Sequence, residues 1–190
     1  MTVIQRSLIL SAYAPSLKRN DGRTLTVAPG MERALPGLRL GWTLSDQGKL
    51  IPLPQRDEWI AEAIAKERLP LLSNDDEDNL VTVSGWRRPG SSSPGGHPQF
   101  EVHAELPLDA GTLASAVDLL EYIADGIHAF WGRVLPSGVA ERIAQQFRHR
   151  DEEPHLPPLG LPTLKPPGKL SAPELPHHLG WLNYWSAASA

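Results

Sequence analysis

QFEVHAEL, residues 99–106, alternates without a break, with Phe100, Val102, Ala104 and Leu106 on one side of an extended chain and Gln99, Glu101, His103 and Glu105 on the other. Successive side chains of a strand point to opposite faces, so the pattern specifies a strand with one face in the core and one toward water. Its hairpin partner is Leu80 to Trp86, which carries Leu80, Val81, Val83 and Trp86 and is weakened near its end by Gly85. Between the two lies RRPGSSSPGGHP, residues 87–98, a Gly-, Ser- and Pro-rich connection that reads as a long loop with a mobile tip. Further upstream, Leu38 to Leu44 with Trp42 and Lys49 to Leu53 form a second hairpin closed around Ser45 to Gly48. Ser7 to Ala14 adds another apolar strand, and together these predict an antiparallel sheet.

Three helices are expected around that sheet. The longest runs from about Thr112 to Trp131, with Leu113, Ala116, Val117, Leu120, Ala124, Ile127 and Trp131 spaced to line one face. A second, Asp57 to about Arg68, places Trp59, Ile60, Ala63 and Ile64 on one side, pairs Glu62 with Lys66 four residues on, and has Asp57 as its cap. The third starts after Pro136 with Ser137 as cap and buries Val139, Ile143 and Phe147. The expected fold class is α+β, a single domain over residues 1–190 with helices packed mainly on one face of the sheet. Prolines crowd residues 154–176, too densely for helix or ladder hydrogen bonding, so an extended path over the surface is expected there.

Composition narrows the partners. A chain of 190 residues with 41% hydrophobic residues can bury one sizeable core. The formal net charge of -4 does not supply the clustered Lys and Arg that direct nucleic-acid binding needs. With no cysteine, disulfide frameworks, thiolate zinc sites and thiol nucleophiles are excluded, and a reducing, cytoplasmic setting fits. No stretch approaches the ~20 apolar residues that a membrane-spanning helix requires.

Few residues point to catalysis. Ser84 in VSGW and Ser137 in LPSGV lack the flanking glycines of a nucleophile elbow, and PGSSSPGG does not open a helix as a phosphate loop would. His97 and His103 can share a strand face with Glu101 and Glu105, a spacing that permits a metal site and keeps open a small metal-dependent hydrolase, although solvated polar residues on a half-buried strand look the same. The run NDDEDN, residues 74–79, lacks the glycine and terminal glutamate of a calcium loop. Its carboxylates Asp75, Asp76, Glu77 and Asp78, with Glu101, His103 and Glu105, are instead candidates for contact with a basic partner surface. Of the six tryptophans, Trp42, Trp59, Trp86 and Trp131 are expected in the core. Trp181 and Trp185 could be core or interface anchors, and an aromatic ligand platform would need Trp86 or Trp185 exposed.

The terminal segment HHLGWLNYWSA, His177 to Ala187, resembles a motif of an immunity-protein family of bacterial polymorphic toxin systems, some delivered by type VI secretion, paired with restriction-endonuclease-like DNase toxins. Looser similarity extends to Ser7 to Pro15 and to Leu38 to Leu44. The resemblance implies a cytoplasmic antitoxin, with no catalysis and no cofactor, that covers its toxin's nuclease domain. It carries over to Gly180, Trp181, Leu182, Asn183, Tyr184 and Trp185 as motif members. A symmetric homodimer is compatible with this reading.

Overall fold

The computed structural model of the chain describes residues 7–18, 21–139, 172 and 179–186. Eight strands form one antiparallel sheet: β1 (Ser7–Pro15), β2 (Trp42–Leu44), β3 (Leu50–Pro52), β4 (Leu69–Ser73), β5 (Thr82–Arg88), β6 (Gln99–Pro107), β7 (Trp131–Pro136) and β8 (Leu182–Trp185). Their order across the sheet is β3-β2-β4-β5-β6-β1-β7-β8. The α-helices bounded within the described residues are α1 (Thr24–Ala34), α2 (Arg56–Ile64) and α3 (Ala110–Gly126). The architecture is α+β, as the strand and helix patterns predict.

β6 lies at the centre and pairs with β5 on one side and β1 on the other. Its even-numbered residues Phe100, Val102, Ala104 and Leu106 are fully buried, and across β1 they meet Ala14, Ala12, Leu10 and Leu8. α3 covers this apolar face with Ala116, Leu119, Leu120, Ile123 and Ala124. At Gly132 on β7 a Cβ would come within 2.9 Å of Leu120 Cδ1, so the absence of a side chain there lets the helix settle on the strand. α1 packs on α3 through Val27, Ala28 and Met31, and Ile60 of α2 joins the same core. Asp109 caps α3, its carboxylate accepting from the Thr112 N–H at 2.8 Å.

Three expectations are corrected. α3 stops at Gly126, and His128 takes a left-handed φ of 54°, which turns the chain so that Trp131 opens a strand instead of ending a helix. The buried face of α3 is also rotated, leaving Leu113 and Val117 exposed. α2 ends at Ile64, its N-cap is Gln55 without a side-chain bond, and Asp57 sits in its first turn paired to Arg56 at 3.0 Å. α1, β4, β7 and β8 had no counterpart in the sequence reading. The hairpin of β2 and β3 closes where expected, through Ser45 N–H to Lys49 O and Gly48 N–H to Ser45 O, both at 2.8 Å. The 87–98 connection forms two single 3-10 turns, Gly90–Ser92 and Pro94–Gly96, after β5 has run on to Arg88. Beyond Val139, the body of the helix expected after Pro136 lies outside the described residues, and so does all of segment 154–176 except Ala172.

Candidate functional site

The sheet face turned away from α3 carries the polar chemistry. Residues in register on antiparallel neighbours project to the same side, so the strand pairings define two rows running across five strands. Trp86, Glu101, Tyr13, Trp131 and Trp185 stand opposite one another in the first row. Ser84, His103, Ser11, Arg133 and Asn183 make the second.

The middle of these rows is a stacked and hydrogen-bonded network. Tyr13 stacks on Trp131 with ring centroids 4.1 Å apart and planes 21° from parallel. The Tyr13 hydroxyl donates to Glu101 Oε1 at 3.0 Å and accepts from Arg133 Nη2 at 3.5 Å. Glu101 also receives Arg88 Nη1 at 3.4 Å, and the Arg88 and Arg133 guanidinium carbons lie 5.5 and 5.9 Å from the Tyr13 ring centre. Tyr13, Trp131 and Arg133 are buried. Burial pushes the Tyr13 hydroxyl up to about 12, against the pull of Arg133 and with the help of Glu101. The same desolvation lowers Arg133 from its ordinary value. It also lowers His103, against the opposing fields of Glu101 and Glu105. His103 lies half-buried beneath Trp86, ring centres 6.0 Å apart.

The expected site residues therefore separate into three groups. Glu101 is an internal counter-ion, its side chain only 12% exposed. His103 is partly covered, and Glu105 is exposed at the end of β6 opposite Thr82. Asp75, Asp76, Glu77 and Asp78 lie on the β4–β5 turn at that same end and are all exposed. Asp76 builds the turn: its Oδ1 accepts from the Asp78 and Asn79 N–H groups, both at 3.0 Å, and these bonds with the Asn79 amide lower its pKa. Asn74 closes the turn by accepting from the Val81 N–H at 2.9 Å and donating to Asn79 O at 3.0 Å. The carboxylates of Asp75, Glu77 and Asp78 are thus presented from a fixed backbone. His97 is exposed beyond the second 3-10 turn, outside the strand. Among the described residues no three His, Asp or Glu side chains are grouped closely enough to hold a metal ion.

The terminal motif is largely structural. Gly180 packs where a Cβ would meet Val134 O at 2.6 Å. Asn183 folds back on it, its Oδ1 accepting from the Gly180 N–H at 2.9 Å and its Nδ2 donating to Gly180 O at 3.1 Å. Leu182 and Tyr184 pack on the core, and the Tyr184 hydroxyl donates to Asp125 of α3 at 2.6 Å, which raises it to about 12. Trp181 and Trp185 are 60% and 45% exposed, which removes the core option for both. Trp86 is 42% exposed, which corrects the expectation that it packs inside, and Trp42 and Trp59 are only partly buried. Tyr13, Arg88 and Arg133 escaped the sequence reading, although the odd parity of Tyr13 against Leu8, Leu10 and Ala12 already sets it on the second face.

No helix among the described residues is long and apolar enough to cross a membrane. No curated protein matches the chain. Residues 19–190 match the profile of a family described as a domain of unknown function, DUF5953, and the chain belongs to that family.

Proposed function

We propose that the chain is an immunity protein, a non-catalytic cytoplasmic binder that neutralises a cognate nuclease toxin by covering a basic surface the toxin needs for DNA. What supports the reading is the β4–β5–β6 corner, where a rigid turn presents Asp75, Glu77 and Asp78, Glu105 stands at the same end, and Trp86 is exposed on the adjoining face. Carboxylates complementary to a phosphate-binding groove speed encounter, and an exposed tryptophan supplies the anchor on which interface energy concentrates. The terminal GWLNYWS segment adds the family resemblance. The test is inhibition: the purified chain, at equimolar ratio, abolishes DNA cleavage by the nuclease domain that co-purifies with it from its native cell. Asp75→Asn, Glu77→Gln and Asp78→Asn together, with Asp76 kept to hold the turn, slow association by about tenfold at low salt and flatten its salt dependence. Full cleavage in the presence of excess chain refutes the proposal.

A second reading rests on Trp86 and Trp185, both exposed: a binding module with an aromatic platform for a glycan or small apolar ligand. Saturable quenching of tryptophan fluorescence by soluble oligosaccharides, lost in Trp86→Ala or Trp185→Ala, would favour it over the antitoxin.

A further inference from the structure

The connection from β3 into α2 shapes a groove. Two adjoining depressions of about 410 and 250 Å³ share Leu53, Pro54, Gln55 and Glu58, and every residue lining them falls between Gly41 and Glu62. Leu53, Pro54 and the half-buried Trp59 make it partly apolar, and the exposed Glu58 and Glu62 give it charge. Its walls are fixed from within the fold. The Leu53 N–H donates to Gly41 O at 2.7 Å, Arg56 Nη1 reaches Glu32 Oε1 of α1 at 2.6 Å, and Glu32 also accepts from the Leu40 N–H at 2.9 Å.

The charges of this groove do not balance inside it. Arg56 is taken up by Glu32 and by Asp57, whose Oδ1 lies 3.0 Å from its Nε. Glu58 sits in the first turn of α2, where the helix dipole favours a carboxylate, but Glu62 near the far end has no such support. Its expected partner Lys66 falls past the helix, which ends at Ile64, and the Lys66 N–H closes a turn onto Ala63 O at 2.9 Å. Among the described residues neither Glu58 nor Glu62 enters an ion pair, and like charges four apart on a helix repel. Strand register then locates the groove. Pro52, Trp42, Ser73, Thr82 and Glu105 form one row across β3, β2, β4, β5 and β6. Gly41 and Leu53 lie one step beyond that row, as Asn74 and the carboxylate turn do, so groove and turn share one end of the sheet, with about 10 Å from β3 to β4.

We propose that this groove receives an arginine side chain of a protein partner, with its methylenes against Leu53 and Trp59 and its guanidinium between the carboxylates of Glu58 and Glu62. Arginine fits because its stem is apolar while its planar head both stacks on an indole and forks to carboxylates. A second copy of the chain is a poorer match, since it brings a net charge of -4 toward an acidic rim. One basic surface laid across this end of the sheet meets the β4–β5 turn and the groove together. That the arginine belongs to the toxin rests on the antitoxin reading, whereas the chemistry of the groove does not.

The probe is acetyl-arginine amide, titrated at low salt into the isotope-labelled full chain and followed by proton–nitrogen correlation spectra. The expected result is a saturable shift of the Trp59 indole N–H and of the backbone amides of Gln55, Glu58 and Glu62, absent with the uncharged isostere acetyl-citrulline amide. Glu58→Gln with Glu62→Gln weakens the binding by about fivefold, as two exposed ion pairs together give. Asp118→Asn with Glu121→Gln on α3 removes the same charge elsewhere and leaves the binding unchanged. All four residues are exposed, so both variants keep the fold. No shift at the groove, an equal shift with citrulline, or equal weakening by the two double variants overturns the proposal, and so do groove resonances that move on dilution of the chain alone, which would seat a second copy there. Because no nuclease enters this experiment, arginine binding without inhibition of cleavage sinks the antitoxin alone, and inhibition without arginine binding sinks the groove alone.

Discussion

Replacing Glu101 by alanine tests whether the sheet face opposite α3 is held together from within. Glu101 accepts from the Tyr13 hydroxyl at 3.0 Å and from Arg88 at 3.4 Å, with the Glu101 and Arg88 side chains 12% and 18% exposed. Truncation removes one charge-assisted bond, worth about 1.5–3 kcal/mol, and leaves a buried hydroxyl without its acceptor, at a cost of about 1–3 kcal/mol. Two relaxations reduce the sum: Arg88 can turn its guanidinium to water, and the Tyr13 oxygen still accepts from Arg133. A net loss of about 3 kcal/mol follows, which in a chain of this size lowers Tm by roughly 6–12 °C. Urea titration followed by tryptophan fluorescence reads it, because Trp131 lies in the same stack. Tyr13→Phe keeps the stack and loses only the hydroxyl bonds, for about 1 kcal/mol. Glu105→Ala, two residues along the same strand face but exposed, stays within about 0.5 kcal/mol. The reasoning fails if Glu101→Ala costs no more than Glu105→Ala.

Other perturbations address neighbouring parts of the fold. Burial lowers the His103 pKa, so the folded state binds that proton less readily than the unfolded chain, and stability is full above about pH 6.5 and falls as pH drops below it. Melting curves between pH 5 and 8 should show this slope in the parent chain and a flatter one in His103→Gln. Gly180→Ala forces a Cβ against Val134 O and Arg133 Cβ, and should cost about 1–3 kcal/mol, with amide exchange quickening in β7 and β8 while β6 stays protected. Asp109→Ala removes the α3 cap and should cost about 1 kcal/mol in chemical denaturation, with no change in the spectrum of the folded state.

Sequence legibility followed local pattern and stopped where tertiary context took over. β6, β5 and β1 are readable because alternation is strong and each has one apolar face. α1 is not, because Pro29-Gly30 in its middle reads as a turn, yet the helix continues through the proline and uses the bare glycine to bring Tyr122 of α3 within 3.3 Å of where a Cβ would sit. The end of α3 was missed for the opposite reason. The left-handed turn falls on His128 and not on Gly126, the last residue of the helix two positions earlier, and the apolar spacing runs on through Ile127 and Trp131 as though the helix did. Leu113 and Val117 fit a helical stripe equally well, and only the position of the sheet decides that Leu119 and Ile123 take the core side instead.

The candidate surface was half visible in the same way. Parity alone sets Trp86 opposite Val81 and Val83, and sets Trp181, Asn183 and Trp185 opposite Leu182 and Tyr184. Assigning Trp86 to the core put the general burial of tryptophan above the position it occupies, and the position proved the better guide. What no local pattern contains is the neighbour list. Glu101 looked like a solvated carboxylate suited to a partner because its own strand says only that it faces away from Phe100 and Val102. It becomes an internal counter-ion because β1 and β5 flank β6 and bring Tyr13 and Arg88 to it, while β7 brings Arg133 to Tyr13. The carboxylates of the β4–β5 turn and Glu105 stand exposed at one end of the sheet, so the strand order itself separates an acidic residue that holds the sheet from acidic residues that face outward.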